Sequence, residues 1–197
     1  RRLFAWLSRG EEPSRATESA SFWQELRTSR SSLLTLALLA LVALGALLIS
    51  VSVLANNWDT LAYRFPRVLF YLSSGALRHA AEGLDPRLLT YPYNGSLLYL
   101  FLAQYEWTGV TWNLVSYSIW LIATAAVFYF PLSLGASARA SLFSAALFAT
   151  TPIVLCLANS TNDELIAGTP ILLAAVFLAQ WLQTRHIVSL VLFVLTF

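Results

Sequence analysis

From residue 33 onward the chain reads as long apolar blocks separated by short polar breaks. Leu33 to Ala55 carries no charge, and at 1.5 Å per residue it reaches about 35 Å, enough to cross a hydrocarbon core of about 30 Å. Trp112 to Leu134, Ala140 to Ala158 and Leu165 to Leu182 repeat the pattern, with breaks at Gly135–Arg139, Asn159–Glu164 and Gln183–His186. Ile187 to Phe197 opens a fifth block that stops about halfway through a bilayer-length run. These lengths predict an all-α integral membrane protein: four complete transmembrane helices plus a truncated fifth, with a long external loop over residues 56–110. Residues 1–32 are polar, and Ser21 to Arg27 predicts a short helix along the headgroups, capped by Ser21 with Phe22, Trp23 and Leu26 on one face.

The long loop is amphipathic and aromatic, a pattern that predicts short interfacial helices within it. Asp59, Tyr63 and Arg67 are spaced to share one helical face, but Pro66 opposes a continuous regular helix. The expected solution is one turn over Asp59–Phe65 and a new helix from Pro66 to Ser74, ended by Gly75 at the C′ position. A second amphipathic stretch covers Ala76 to Glu82, and Tyr91 to Gly95 has turn composition.

Charge orients the assembly. Six arginines, Arg1, Arg2, Arg9, Arg15, Arg27 and Arg30, precede or open the first span and predict a cytoplasmic N-terminus in a bacterial inner membrane. Arg139 and Arg185 then fall in cytoplasmic turns, and Asp163 and Glu164 fall outside. The external loop also carries Arg64, Arg67, Arg78 and Arg87, which the positive-inside rule does not explain. Composition agrees with the pattern: 58% of residues are hydrophobic and only 11% charged, against about 25% charged in soluble domains. That excludes a soluble enzyme. A net charge of +2 gives no reason to expect a nucleic-acid partner. Cys156 is the single cysteine and has no intrachain partner. The absence of Met and the abrupt final block predict the N-terminal portion of a longer chain. Residues 1–32 form its cytoplasmic juxtamembrane segment, and residues 33–197 the start of its transmembrane domain.

Two acidic residues stand out, each at the outer end of a span. Asp59 follows the first, and Asp163 precedes the fourth, where Asn162, Asp163 and Glu164 also suit a plain helix cap. Taken together, and beside four arginines, the two carboxylates suit transfer of a group carried on a lipid phosphate. A carboxylate can take the proton of an attacking hydroxyl, and guanidinium groups can hold phosphate oxygens and stabilise the charge left on them. There is no CxxC, HExxH, phosphate-binding glycine loop or GxSxG elbow. His79 and His186 are expected on opposite sides of the membrane. The four predicted spans contain no Asp, Glu or Arg apart from their borders, which argues against a proton-coupled transporter.

The run Asn57-Trp58-Asp59-Thr60-Leu61-Ala62-Tyr63-Arg64-Phe65-Pro66-Arg67-Val68, with Gly75 beyond it, resembles the first external loop of bacterial glycosyltransferases of the C superfold. The similarity is to the protein-mannosyltransferase and aminoarabinose-transferase branch, and Ser160-Thr161-Asn162-Asp163 is similar to that family's second acidic loop. The resemblance covers residues 33 to about 185. It implies that Asp59 is the catalytic carboxylate, activating an acceptor hydroxyl for inverting attack on a polyprenyl-phosphate sugar. It implies that Asp163 supports the site by orienting the acceptor, or a divalent metal where the family uses one. Tyr63, within the matched run, is expected to bind substrate together with Arg64 and Arg67, the two arginines being expected at the lipid phosphate on charge and position. The expected partners are a lipid-linked sugar donor and membrane lipid. The family carries an acidic residue near position 96, where this chain has Ser96. That departure and the apolar helix faces motivate a second expectation: a non-catalytic, glycosyltransferase-derived structural subunit held among other membrane subunits of a respiratory or photosynthetic type of complex.

Overall fold

A computed structural model describes residues 29–54, 57–78, 86–90, 94–106, 109 and 111–196. The helix expected over Ser21–Arg27, most of the stretch from Ala76 to Glu82, and Tyr91 to Tyr93 of the expected turn lie outside the described residues. So do His79 and residues 1–28 of the juxtamembrane segment. Every regular element among the described residues is helical: α1 (Arg30–Ser52), a π-helical turn (Thr60–Arg64), α2 (Phe65–Ser74), α3 (Arg87–Thr90), α4 (Asn94–Ala103), α5 (Asn113–Ser133), α6 (Ala138–Thr150), α7 (Pro152–Ala158), α8 (Glu164–Thr184) and α9 (Ile187–Thr196).

Three of these, α1, α5 and α8, are long and apolar enough to cross a membrane. The third expected span, Ala140 to Ala158, is not one continuous helix. It is divided into α6 and α7, bent by 69° at Thr151. The cause is local. Proline denies the preceding residue the α region, and Thr151 sits at φ −59°, ψ 124°, extended rather than helical. The four complete spans read from hydropathy therefore become three, or four if the bent pair counts as one. Hydropathy measures the apolar content of a run and is blind to a single backbone dihedral within it.

Pro66 has a gentler effect. The chain does not break before it; instead the helical path widens into the π-helical turn, where the N–H of Phe65 reaches back to the carbonyl of Thr60, and then resumes as α2. A proline ring collides with the carbonyl four residues earlier, and the extra residue in the turn moves that carbonyl aside. Such π-bulges concentrate at functional sites. Gly75 ends α2 in the left-handed region at φ 61°, as its C′ position requires. Arg185 does the same for α8 without being glycine, at φ 55°. Its N–H bonds the Trp181 carbonyl at 2.8 Å and its guanidinium lies 4.9 Å from the Trp181 ring.

The chain divides into two compact units. One holds the described residues 29–40, 124–148 and 170–196. Its core joins Ala138 and Leu142 of α6 to Leu39 of α1 and Phe128 of α5, and Gln183 hydrogen-bonds the Ser133 carbonyl. The other spans residues 41–123 and 149–169 and is packed around Val68, Tyr99, Ala103 and Trp112. There the Trp112 ring stacks on Tyr99 at 5.4 Å and meets Phe65 at 5.1 Å. Bonds between residues distant in sequence fix the ends of α1 and α5 within this second unit. Asn113 Nδ2 donates to the Val53 carbonyl at 3.0 Å, and the Ser50 hydroxyl to Asn159 Oδ1 at 3.2 Å.

Candidate functional site

The site lies wholly within the second unit and is assembled from the π-helical turn with α2, from α3 and α4, and from the loop from Asn159 to Asp163. The first and third are tied by polar side chains. Asn57 Nδ2 donates to Asn162 Oδ1 at 2.9 Å across 105 residues of sequence. Asn57 Oδ1 in turn accepts the backbone N–H of Thr60 at 2.7 Å, which caps the turn. The Thr60 hydroxyl bonds both Asn57 Oδ1 and the Thr161 hydroxyl. Since the amide oxygen can only accept, Thr60 donates to it and Thr161 donates to Thr60.

Tyr63 stands at the centre, its side chain buried. Three guanidinium carbons approach its ring: Arg87 at 4.9 Å, Arg64 at 5.1 Å and Arg67 at 5.9 Å. An aromatic face attracts cations, more so when desolvated. Burial pushes the Tyr63 hydroxyl above its ordinary range, against the pull of Arg64, whose Nη2 donates to that hydroxyl at 3.0 Å. Each predicted carboxylate is matched to one of these arginines. Arg64 Nη1 pairs with Asp163 Oδ1 in close contact, their side chains 3% and 25% exposed. Arg87 Nη1 pairs with Asp59 Oδ1 at 3.1 Å, and both of those side chains remain open to solvent, 26% and 34% exposed.

Asp163 is held tightly. Gly95, buried on α4, faces it so closely that a methyl group built on Gly95 would collide with the carboxylate. Glycine is required there for close approach and not for backbone freedom. Burial raises the Asp163 carboxyl above the ordinary carboxylate range, although Arg64 beside it pulls the other way.

Of the residues expected from sequence, Asp59, Tyr63, Arg64, Arg67 and Asp163 all gather here. The two arginines expected at a lipid phosphate are engaged internally. Arg67, 2% exposed, donates to Ser96 Oγ at 3.3 Å and to the carbonyls of Arg87 and Leu88 at 2.7 and 3.2 Å, so it fastens α2 to α3 and α4. Arg64 is occupied by Asp163 and Tyr63. The guanidinium that reaches the open side of the cluster belongs to Arg87. The sequence signal for it was its membership of four loop arginines without a topological explanation. Gly95 carried a signal only as a turn residue.

Two carboxylates among three guanidiniums leave the cluster net positive, and such a site favours an anion. The donor set does not fit a divalent metal: each carboxylate is matched to an arginine, and no group of three or more His, Cys, Asp or Glu converges among the described residues. Comparisons with models of known protein families, with curated proteins and with solved structures find no match.

Proposed function

We propose that the cluster around Tyr63 is the reaction centre of a membrane transferase that moves a sugar from a polyprenyl-phosphate donor to an external acceptor hydroxyl. The observation that carries this reading is the solvent-open pairing of Asp59 with Arg87 in a net-positive cluster, in which Asp163 is held by Arg64 and against Gly95. In this reading Asp59 takes the proton of the acceptor hydroxyl as the acceptor oxygen bonds to the sugar carbon. The bond from that carbon to the phosphate oxygen breaks, and the electron pair leaves with the lipid phosphate. Arg87 exchanges Asp59 for the phosphate, which frees the carboxylate as a base and stabilises the departing charge in one movement. Asp163, through Arg64, positions the π-helical turn that follows Asp59.

The test is sugar transfer by the full-length protein in native membranes, supplied with polyprenyl-phosphate sugar. Asp59→Asn should lower transfer by about 10²–10⁴-fold, the usual reach of a general base, and Arg87→Gln should raise KM for the donor. Transfer undiminished in Asp59→Asn rejects the role. The structural-subunit reading is favoured by the internal engagement of Arg64 and Arg67. It is distinguished by a different result, in which the wild-type protein neither binds polyprenyl phosphate nor remains folded when purified from its partners.

A further inference from the structure

The helices that carry the site distribute their charge in the reverse of what a surface in water requires. From Trp58 to Ser74 the chain has three charged residues, Asp59, Arg64 and Arg67. Arg64 and Arg67 are 3% and 2% exposed, and Asp59 is paired with Arg87. The same stretch turns apolar side chains outward: Trp58 is 77% exposed and Leu61 59%, and Leu69 and Leu72 are exposed with them. Helix α4 repeats the arrangement. It has no charged residue, it buries Tyr99 and Ala103 in the cluster with Val68 of α2, and it exposes Leu98 and Phe101. Charged side chains normally stay at a surface in water. Exposed apolar side chains on two helices packed together, without a charge among them, mark contact with lipid or with another protein.

Lipid fits three features of this surface. The first is its place in the chain. Helix α1 is long and apolar enough to cross a membrane, its end exposes Val51, Val53 and Leu54, and Trp58 follows Leu54 by four residues, at most about 14 Å of extended chain. The second is length: α2 and α4 have ten residues each, about 15 Å, too short to cross a hydrocarbon core and suited to lying along it. The third is the kind of side chain that is most open. Trp58 and Tyr105 have amphipathic rings of the sort that gather at the headgroups, and the Tyr105 ring meets Phe101 at 5.4 Å.

We propose that the outward side of the π-helical turn, α2 and α4 lies embedded in the bilayer leaflet reached by the Ser52 end of α1, with Trp58 and Tyr105 at headgroup depth. The partner is the lipid surface itself. Acyl carbons cover Leu61, Leu69, Leu72 and Phe101, and headgroups surround the two amphipathic rings. Asp59 follows Trp58 directly, so the Asp59–Arg87 pair opens at the level of lipid phosphates. The embedding rests on exposure and charge and does not depend on the proposed transfer.

Site-directed spin labelling of the full-length protein in phospholipid nanodiscs tests it. Cys156, the single cysteine, is first removed as Cys156→Ser. Labels are then placed one at a time by Leu61→Cys, Leu69→Cys and Phe101→Cys, with Leu44→Cys on α1 as the lipid reference and His186→Cys in an exposed turn as the water reference. Oxygen concentrates among acyl chains, and a nickel chelate stays in water. The ratio of oxygen to nickel accessibility should be several-fold higher at the three test positions than at His186→Cys and should approach that of Leu44→Cys. Trp58→Cys should fall between the two references. The labelled side chains are exposed, so core packing is left alone; Leu72→Cys or Leu98→Cys replaces any variant that fails to fold. A ratio equal to that of His186→Cys places the surface in water and overturns the proposal. Protection from both reagents means that a second copy or another subunit covers the surface, and overturns it too. Asp59→Asn, whatever it does to sugar transfer, should leave the ratios unmoved, so the embedding and the proposed reaction fail separately.

Discussion

Removing Arg64 and Asp163 separately and together measures how the cluster is held. Breaking a buried pair from one side costs about 3–5 kcal/mol, because the remaining charge has lost its counterion without regaining water. The two sides are unequal here, since Arg64 is 3% exposed and Asp163 is 25% exposed. Asp163→Asn strands a guanidinium with almost no access to solvent and should cost the full amount, about 3–5 kcal/mol. Arg64→Met leaves a carboxylate that touches water and can also protonate, so about 2–3 kcal/mol is expected after that relief. Removing both charges as Arg64→Met with Asp163→Leu should cost less than the sum, with a coupling of about 1–3 kcal/mol. The assay is thermal unfolding followed by tryptophan fluorescence in mild detergent, where each kcal/mol moves Tm by roughly 2–4 °C for a chain of this size.

The pH dependence has a definite sign. Burial already raises the Asp163 carboxyl above the unfolded value of 3.8, and Arg64→Met removes the group that opposes this rise. The folded variant then binds a proton that the unfolded chain has released. Its stability should increase as pH falls through the raised folded-state value toward 3.8, by at most about 1.4 kcal/mol per pH unit. Asp163→Asn should show no such slope. Additive losses in the double variant, together with a pH-independent Arg64→Met, would refute the account of a coupled buried pair.

Other expectations follow from single contacts. Gly95→Ala should destabilise by about 1–3 kcal/mol through overpacking against the Asp163 carboxylate; helix propensity alone predicts a gain of up to about 1 kcal/mol, so the sign of the Tm shift decides. Asn57→Ala should cost about 1–2 kcal/mol by losing the Thr60 cap and the bond to Asn162, while Asn57→Asp keeps the acceptor and recovers part of that loss in the same melting assay. In wild type, the infrared carboxyl band that disappears in Asp163→Asn should titrate above 3.8. Over that window wild-type stability falls as pH rises, since the folded state holds the proton longer.

Much of the helical framework was legible because it depends on neighbours in the chain. The charge-free run after Ser32 becomes α1, Gly75 ends α2 in the left-handed conformation expected of it, and Asp59, Tyr63 and Arg67 approach one another on a single helical path. Local reasoning failed where one dihedral or one accommodation mattered. Pro152 divides the third apolar block at Thr151, whereas Pro66 is absorbed by a π-helical turn; both are prolines in apolar runs, and the hydrophobic pattern does not separate them.

The sequence by itself thus determined which stretches are helical and apolar and which residues near their ends carry charge. Only the tertiary structure decided how those charges are used. Arg67 fastens three helices from within, Arg64 is committed to Asp163, and Arg87 alone joins Asp59 at the open side. Gly95 admits a carboxylate that lies far from it in the chain. Helix formation is governed by contacts a few residues apart, so its signals are periodic and visible in one dimension. Pairing among three similar arginines and two aspartates depends on which side chains are buried together, and that is set by packing between segments brought together across about a hundred residues.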